Sequence, residues 1–151
     1  MDLLQNIHIR LLDRDDFQKL KMFHVKHFQN YPISDSSFLS YLTLQQYKTA
    51  GAFLNEILVG YIIFLASDYE ADIVYIATHP EYRRMGIGNA LLNSKCFTWN
   101  ICKTEFKIFL EVAVDNIAAI EFYKSQDFKT ISLRKAYFKN IDAYLMQKVL
   151  R

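Results

Sequence analysis

The chain has 151 residues, of which 52% are hydrophobic, 15% aromatic and 23% charged, with a formal net charge of +2 at pH 7. That length suits a single domain over residues 1–151 with a sizeable core, and that composition excludes a disordered chain. The near-neutral balance offers no broad basic face for direct nucleic-acid binding, and no apolar run approaches the roughly 18 residues that cross a bilayer.

The first residues, Met1-Asp2-Leu3-Leu4-Gln5, lack the basic start and small-residue cleavage site of a secretory signal, so a cytoplasmic protein is expected. Cys96 and Cys102 match no common metal spacing and are too sparse for a disulfide scaffold. Free thiols in a reducing compartment are expected.

In chain order, residues 7–12 alternate as a strand, with Ile7, Ile9 and Leu11 on one face. Asp13 offers a cap to a helix carrying Phe17, Leu20, Lys21, His24, Val25 and Phe28. Tyr31-Pro32-Ile33-Ser34-Asp35 breaks it, and residues 36–47 predict a second helix with Phe38, Leu42 and Gln45 or Gln46 down one side. Residues 50–54 and 57–66 flank Asn55-Glu56, a tight hairpin turn. A third run, 73–78, ends at His79-Pro80, because proline cannot donate to a ladder. A helix over 86–100, a strand over 106–114, a helix over 116–125 and strands over 129–138 and 141–149 complete the chain. The order β-α-α-β-β-β-α-β-α-β-β predicts a mixed α/β fold with antiparallel hairpins.

Two of the four glycines, Gly86 and Gly88, lie in one turn between a strand and a helix. Glycine there lets backbone approach a ligand closely. The first N–H groups of the following helix have no partner within it and attract phosphate. Arg83 and Arg84 add two cations. The reading is a diphosphate site. Leu91 breaks the dinucleotide pattern Gly-x-Gly-x-x-Gly, and no Gly-Lys-Ser/Thr follows. A ligand-free turn remains the alternative at this point.

The strand over 106–114 sets Glu111 in mid-strand among apolar residues, on the face with Lys107, Phe109 and Ala113. Partial burial suits such a carboxylate to general-base work; a solvated strand-face glutamate is the alternative. Asp115 and Asn116 can each cap the next helix. Asn116, Ile120 and Tyr123 share one helical face, where Tyr123 is equally readable as a core aromatic.

These motifs together resemble the GNAT acetyltransferase superfamily. Arg83-Arg84-Met85-Gly86-Ile87-Gly88 matches its Arg/Gln-x-x-Gly-x-Gly/Ala motif for acetyl-CoA, and residues 76–82 resemble its approach strand and Pro-x-Tyr turn. The resemblance implies a mostly antiparallel sheet flanked by helices, with a splayed strand pair for acetyl-CoA. It implies pantetheine binding by Ile76, Ala77 and Thr78, and pyrophosphate binding by Arg84, Met85, Gly86, Ile87, Gly88 and Asn89. Leu110-Glu111-Val112 through Asn116, Ala119-Ile120 and Tyr123 is similar to the signature of RimI-type ribosomal-protein alanine N-terminal acetyltransferases. By position, Glu111 becomes the proton acceptor, Tyr123 the proton donor and Asn116 an acetyl-CoA contact. Tyr31-Pro32-Ile33-Ser34 resembles a loop that walls the peptide site, and Arg134-Lys135-Ala136-Tyr137-Phe138 resembles a run that makes Tyr137 a peptide-site hydroxyl.

The chemistry fits. A protein α-amine has a pKa of about 8 and must lose a proton before it attacks a thioester. Glu111 can take that proton, Tyr123 can give one to the leaving thiolate, and strand N–H groups near residues 76–78 can steady negative charge on the thioester oxygen. Ternary-complex transfer needs no metal. The expected acceptor is a protein N-terminus, by resemblance a ribosomal protein, and the expected state a monomer or weak dimer without membrane attachment. Three departures bear on the acceptor: Ile33 where Trp is usual, a short segment between Phe138 and Asp142, and Gln126-Asp127-Phe128 for Leu-Gly-Phe. Asp tolerates the left-handed conformation that glycine adopts there better than most residues. Acetylation of a small amine or a lysine, and a non-catalytic CoA-binding module, are the alternatives. His24 and His27, three apart, lack a third metal ligand and suit a surface helix. His79 is given no role.

Overall fold

A computed structural model describes residues 2–101 and 105–151. Cys102 lies outside the described residues. The strands are β1 (Ile7–Leu11), β2 (Tyr47–Leu54), β3 (Ile57–Ala66), β4 (Glu70–Thr78), β5 (Phe106–Ala113), β6 (Lys129–Phe138) and β7 (Ile141–Leu150). The helices are α1 (Phe17–His27), α2 (Asp35–Thr43), α3 (Ile87–Leu92) and α4 (Ile117–Ser125). The element order is the expected one, and the strands form one mostly antiparallel sheet in the order β1-β2-β3-β4-β5-β7-β6. No helix among the described residues is long and apolar enough to cross a membrane.

The chain divides into two compact units. The first comprises Met1–Leu65 and Val74–Thr98. Here β1, β2 and β3 pair as antiparallel neighbours. Asn55 and Glu56 turn the β2–β3 hairpin with φ of 48° and 66°, the left-handed pair that matches strand twist. Leu20, Phe38, Tyr61 and Ile63 are fully buried in the core. Asp16, itself buried, accepts from Arg10 Nη1 and Nη2 at 2.8 and 2.7 Å, tying β1 to the start of α1. The Arg10 guanidinium holds the Asp16 carboxyl below the usual carboxylate range.

The second unit comprises Ala66–Ile73 and Trp99–Arg151. Its β5 alternates buried and half-buried residues along its length, as the sequence predicts. On one side it meets β7 in an eight-residue antiparallel ladder, and on the other it runs parallel to β4 over Glu70, Ala71 and Asp72 only. That ladder is short against strands of nine and eight residues. Asp127 closes α4 with φ 67°, the left-handed conformation that aspartate tolerates.

Four expectations need correction. The helix expected over 86–100 stops at Leu92. Ser94 Oγ accepts from the Cys96 N–H, a local bond that competes with helix, and Phe97 is buried instead by its ring against Phe64 at 4.9 Å. The second helix runs Asp35–Thr43, and Tyr47 belongs to β2. Along α1 the buried face carries Phe23, not Val25, which is 54% exposed. His24 is not a surface residue: it is 3% exposed.

Candidate functional site

In the first unit, β4 runs into the glycine turn. His79 Nδ1 accepts from the Glu81 N–H at 3.1 Å and caps the 3-10 turn Pro80–Tyr82. That is a structural role, which the sequence alone does not show. Arg84 and Gly86 then take φ of 61° and 87°. A side chain at Gly86 would be strained by that φ, and its Cβ would sit 2.9 Å from Leu4 Cδ1. The first α3 bond runs from the Ala90 N–H to the Gly86 carbonyl, so the N–H groups of Ile87, Gly88 and Asn89 precede any intrahelical partner. Gly60 on β3 lets this segment pack closely, since a Cβ there would lie 3.0 Å from the Ala77 carbonyl and 3.2 Å from Ile87. Neither Arg83 nor Arg84 is ion-paired among the described residues. Left-handed backbone, early N–H groups and two uncommitted guanidinium groups fit a diphosphate.

Also in the first unit, Tyr31 is 66% exposed and its carbonyl is held by buried His24. A carbonyl only accepts, so His24 Nε2 donates to it, and Nδ1 pairs with the Tyr61 hydroxyl at 2.7 Å. Burial pushes the Tyr61 phenol far above its ordinary value, which keeps it protonated. This triad anchors the 31–34 loop through its backbone, and the aromatic sequence around it gives little sign of it.

In the second unit, Glu111 is half-buried, with 22% of its side chain exposed. Arg134 Nε lies 3.2 Å from Glu111 Oε1. The Tyr137 hydroxyl donates to the same carboxylate, and that bond, then burial, raises the Tyr137 phenol above its ordinary value. Arg134 also lies over the Tyr137 ring, 5.6 Å from its centroid. The structure therefore brings Glu111 and Tyr137 together and adds Arg134. Ala136 makes this possible: at φ 51° it sits in a β6 bulge, with its N–H donated to Asp142 Oδ1 at 2.8 Å.

Asn116 and Tyr123 lie elsewhere in that unit. Asn116 Oδ1 accepts from the Ala119 N–H at 3.3 Å and caps α4. Tyr123 is 7% exposed, its ring edge-on to Phe128 at 5.6 Å, and burial raises its phenol well above the ordinary value. Among the described residues neither makes a hydrogen bond or ring contact with Glu111.

Comparison with known proteins settles the family. The acetyltransferase (GNAT) family matches residues 10–128. The chain belongs to the GNAT family. N-alpha-acetyltransferase 50 of Danio rerio is 34% identical over 110 residues, 66% of this chain and 64% of that protein. The match thus spans less than two thirds of that relative's length. Two solved structures share the fold. The ribosomal-protein-S18-alanine N-acetyltransferase of Escherichia coli superposes with a TM-score of 0.78 at 24% identity, covering 95% of this chain and 93% of that one. NAA60 of Arabidopsis thaliana in complex with acetyl-CoA does so with a TM-score of 0.82 at 18% identity, covering 95% and 98%. This GNAT chain thus combines the family's fold with a backbone-lined turn and a carboxylate gripped by two side chains.

Proposed function

We propose that the chain is one GNAT domain over residues 1–151 that transfers acetyl from acetyl-CoA to the free α-amine of a protein. The observation that carries the reading is the Glu111 carboxylate, held by Arg134 and Tyr137 on the face of β5. The activities for which N-alpha-acetyltransferase 50 and the bacterial S18-alanine enzyme are named support it, as does acetyl-CoA in the NAA60 structure.

Acetyl-CoA supplies an activated acyl thioester. The backbone of Ile76, Ala77 and Thr78 takes its pantetheine arm. Residues Arg84, Met85, Gly86, Ile87, Gly88 and Asn89 hold the pyrophosphate, chiefly through N–H groups. Asn116, at the α4 cap, borders the same co-substrate. Glu111 accepts the proton that the ammonium must lose before attack. Tyr123, kept protonated by burial, donates to the departing sulfur. Tyr31, Pro32 and Tyr137 border the acceptor peptide. The acceptor is a ribosomal protein, the compartment the cytoplasm and the state a monomer or weak dimer.

The acceptor is tested by offering acetyl-CoA and an array of peptides that vary in first residue, with free or blocked N-termini. Acetylation of free N-termini is expected. Acetylation confined to blocked, lysine-bearing peptides would overturn the reading.

A further inference from the structure

The 31–34 loop of the first unit is pinned at both ends. The chain reaches it in bonded steps. The Phe28 N–H donates to the His24 carbonyl at 2.8 Å, and the Tyr31 N–H to the Phe28 carbonyl at 3.0 Å. Pro32 follows and has no N–H, so the Tyr31 carbonyl is the one hydrogen-bonding atom of the Tyr31–Pro32 amide. His24 Nε2 donates to it. At the far end, Ser34 Oγ accepts from the Ser37 N–H at 3.1 Å and caps α2, and Lys21 Nζ of α1 lies 3.0 Å from Asp35 Oδ1. Between these ends Ile33 packs half-buried against the core, while Tyr31 and Pro32 are exposed. A fixed backbone thus displays a phenol and a proline ring.

The imidazole that holds the first end is itself fixed from four elements. His24, on α1, is 3% exposed. Its Nδ1 pairs with the Tyr61 hydroxyl of β3 at 2.7 Å. Its ring stacks on Phe28 at 5.7 Å and meets Phe38 of α2 and Tyr75 of β4 edge-on at 5.6 and 6.0 Å. A ring wedged in this way has one orientation, and Nε2 holds the Tyr31 carbonyl in one place.

We propose that His24 is a positioning residue for the acceptor: through the Tyr31 carbonyl it sets where Tyr31 and Pro32 stand, and so how tightly the peptide binds. This rests on the reading above that Tyr31 and Pro32 border the acceptor peptide. His24 acts through the loop and not on the amine. A loop already held in its binding conformation loses little further freedom when a peptide arrives. A loop released from His24 leaves a partly buried carbonyl without its donor and must be ordered again at each binding event. The effect therefore falls on acceptor binding, and the acetyl-CoA turn is untouched.

The test compares wild type with His24→Gln, His24→Asn and His24→Leu in the full chain, with acetyl-CoA and with free-α-amine, lysine-bearing and small-amine acceptors. Gln carries an amide N–H to the reach of Nε2 and can still donate to the Tyr31 carbonyl. Asn is as polar but stops at the reach of Nδ1, and Leu fills the space without a donor. Readouts are acceptor KM, kcat at saturating acceptor and acetyl-CoA binding by calorimetry. His24→Asn and His24→Leu are expected to raise peptide KM about tenfold or more, with kcat within about threefold and the acetyl-CoA dissociation constant within about twofold of wild type. His24→Gln is expected to keep KM within about threefold of wild type. A KM unmoved in His24→Asn and His24→Leu would overturn the proposal, as would equal losses in His24→Gln and His24→Asn. So would a fall in kcat or in acetyl-CoA binding with KM unchanged, the mark of lost folded enzyme. Where the His24 variants do not fold, Tyr61→Phe decides, since it removes the hydroxyl at Nδ1 and keeps the ring. A peptide KM raised about threefold or more then supports the proposal, and an unchanged one overturns it. Acetylation of lysine-bearing peptides alone would sink the N-terminal reading, while a raised KM for those peptides in His24→Asn would still support the role of His24. Acetylation of small amines alone would overturn both.

Discussion

The glycine turn of the first unit and the carboxylate face of the second prepare for ligands in opposite ways. At the turn, what matters is backbone. Arg84 and Gly86 sit in left-handed conformations, and main-chain N–H groups are on offer beside the Arg83 and Arg84 guanidinium groups. On the β5 face, what matters is side chains. Glu111, Arg134 and Tyr137 come from two strands and meet because a bulge at Ala136 shifts β6. Substitutions at the turn should therefore act on co-substrate binding, and substitutions on the face should act on turnover and acceptor.

The sharpest break between the two regions is Glu111→Gln. Turnover with any accepted amine should fall by roughly 10² to 10⁴, with acetyl-CoA binding unchanged by calorimetry. Loss of both would deny the face a separate role. Next comes Gly86→Val, which meets a φ of 87° and Leu4 at 2.9 Å. Acetyl-CoA affinity should drop by about tenfold or more, a cost of at least ~1.4 kcal/mol. An unaltered dissociation constant would remove the turn from the site. Tyr123→Phe should lower kcat by about tenfold, as expected for one lost proton donor near the bottom of the acid–base range. Because burial holds the Tyr123 phenol well above 10, wild-type turnover should show no basic limb from it near pH 9.

Smaller effects sharpen the picture. Tyr137→Phe removes one hydrogen bond to Glu111, and acceptor KM should rise about fivefold, or ~1 kcal/mol, with acetyl-CoA KM unmoved. The Arg10–Asp16 pair lies away from both regions and should affect stability alone. Asp16 has a depressed carboxyl, so its contribution is present above the unfolded value of about 3.9 and is lost as pH falls through the folded value. Asp16→Asn should lower Tm at pH 7 by a few degrees, roughly 1–2 kcal/mol given a part-exposed Arg10, and narrow the gap to wild type below pH 4. An equal gap at both pH values would contradict the linkage.

How legible each region was in sequence follows from the same contrast. The turn is local: a strand, a proline, two arginines and two glycines within a few residues announce it. The alternation that exposes Glu111 is local as well, and so is the hairpin at Asn55-Glu56. The partners of Glu111 are not. Arg134 reaches it across β7 from β6. The burial of His24 is not legible because apolar periodicity cannot show that Tyr61, thirty-seven residues away, satisfies a buried imidazole. The overlong helix after Gly86 arose because Ala90, Leu91, Ser94 and Phe97 keep helical spacing, while Ser94 bonds locally and ends it.

One measurement reaches the central claim most directly. A peptide carrying both a free α-amine and a lysine is incubated with acetyl-CoA and the full-length protein, and fragment mass spectrometry locates the acetyl group. The account predicts acetyl on the α-nitrogen, and none there when Glu111→Gln replaces wild type. Acetyl on the lysine alone, or undiminished α-acetylation by Glu111→Gln, would contradict it.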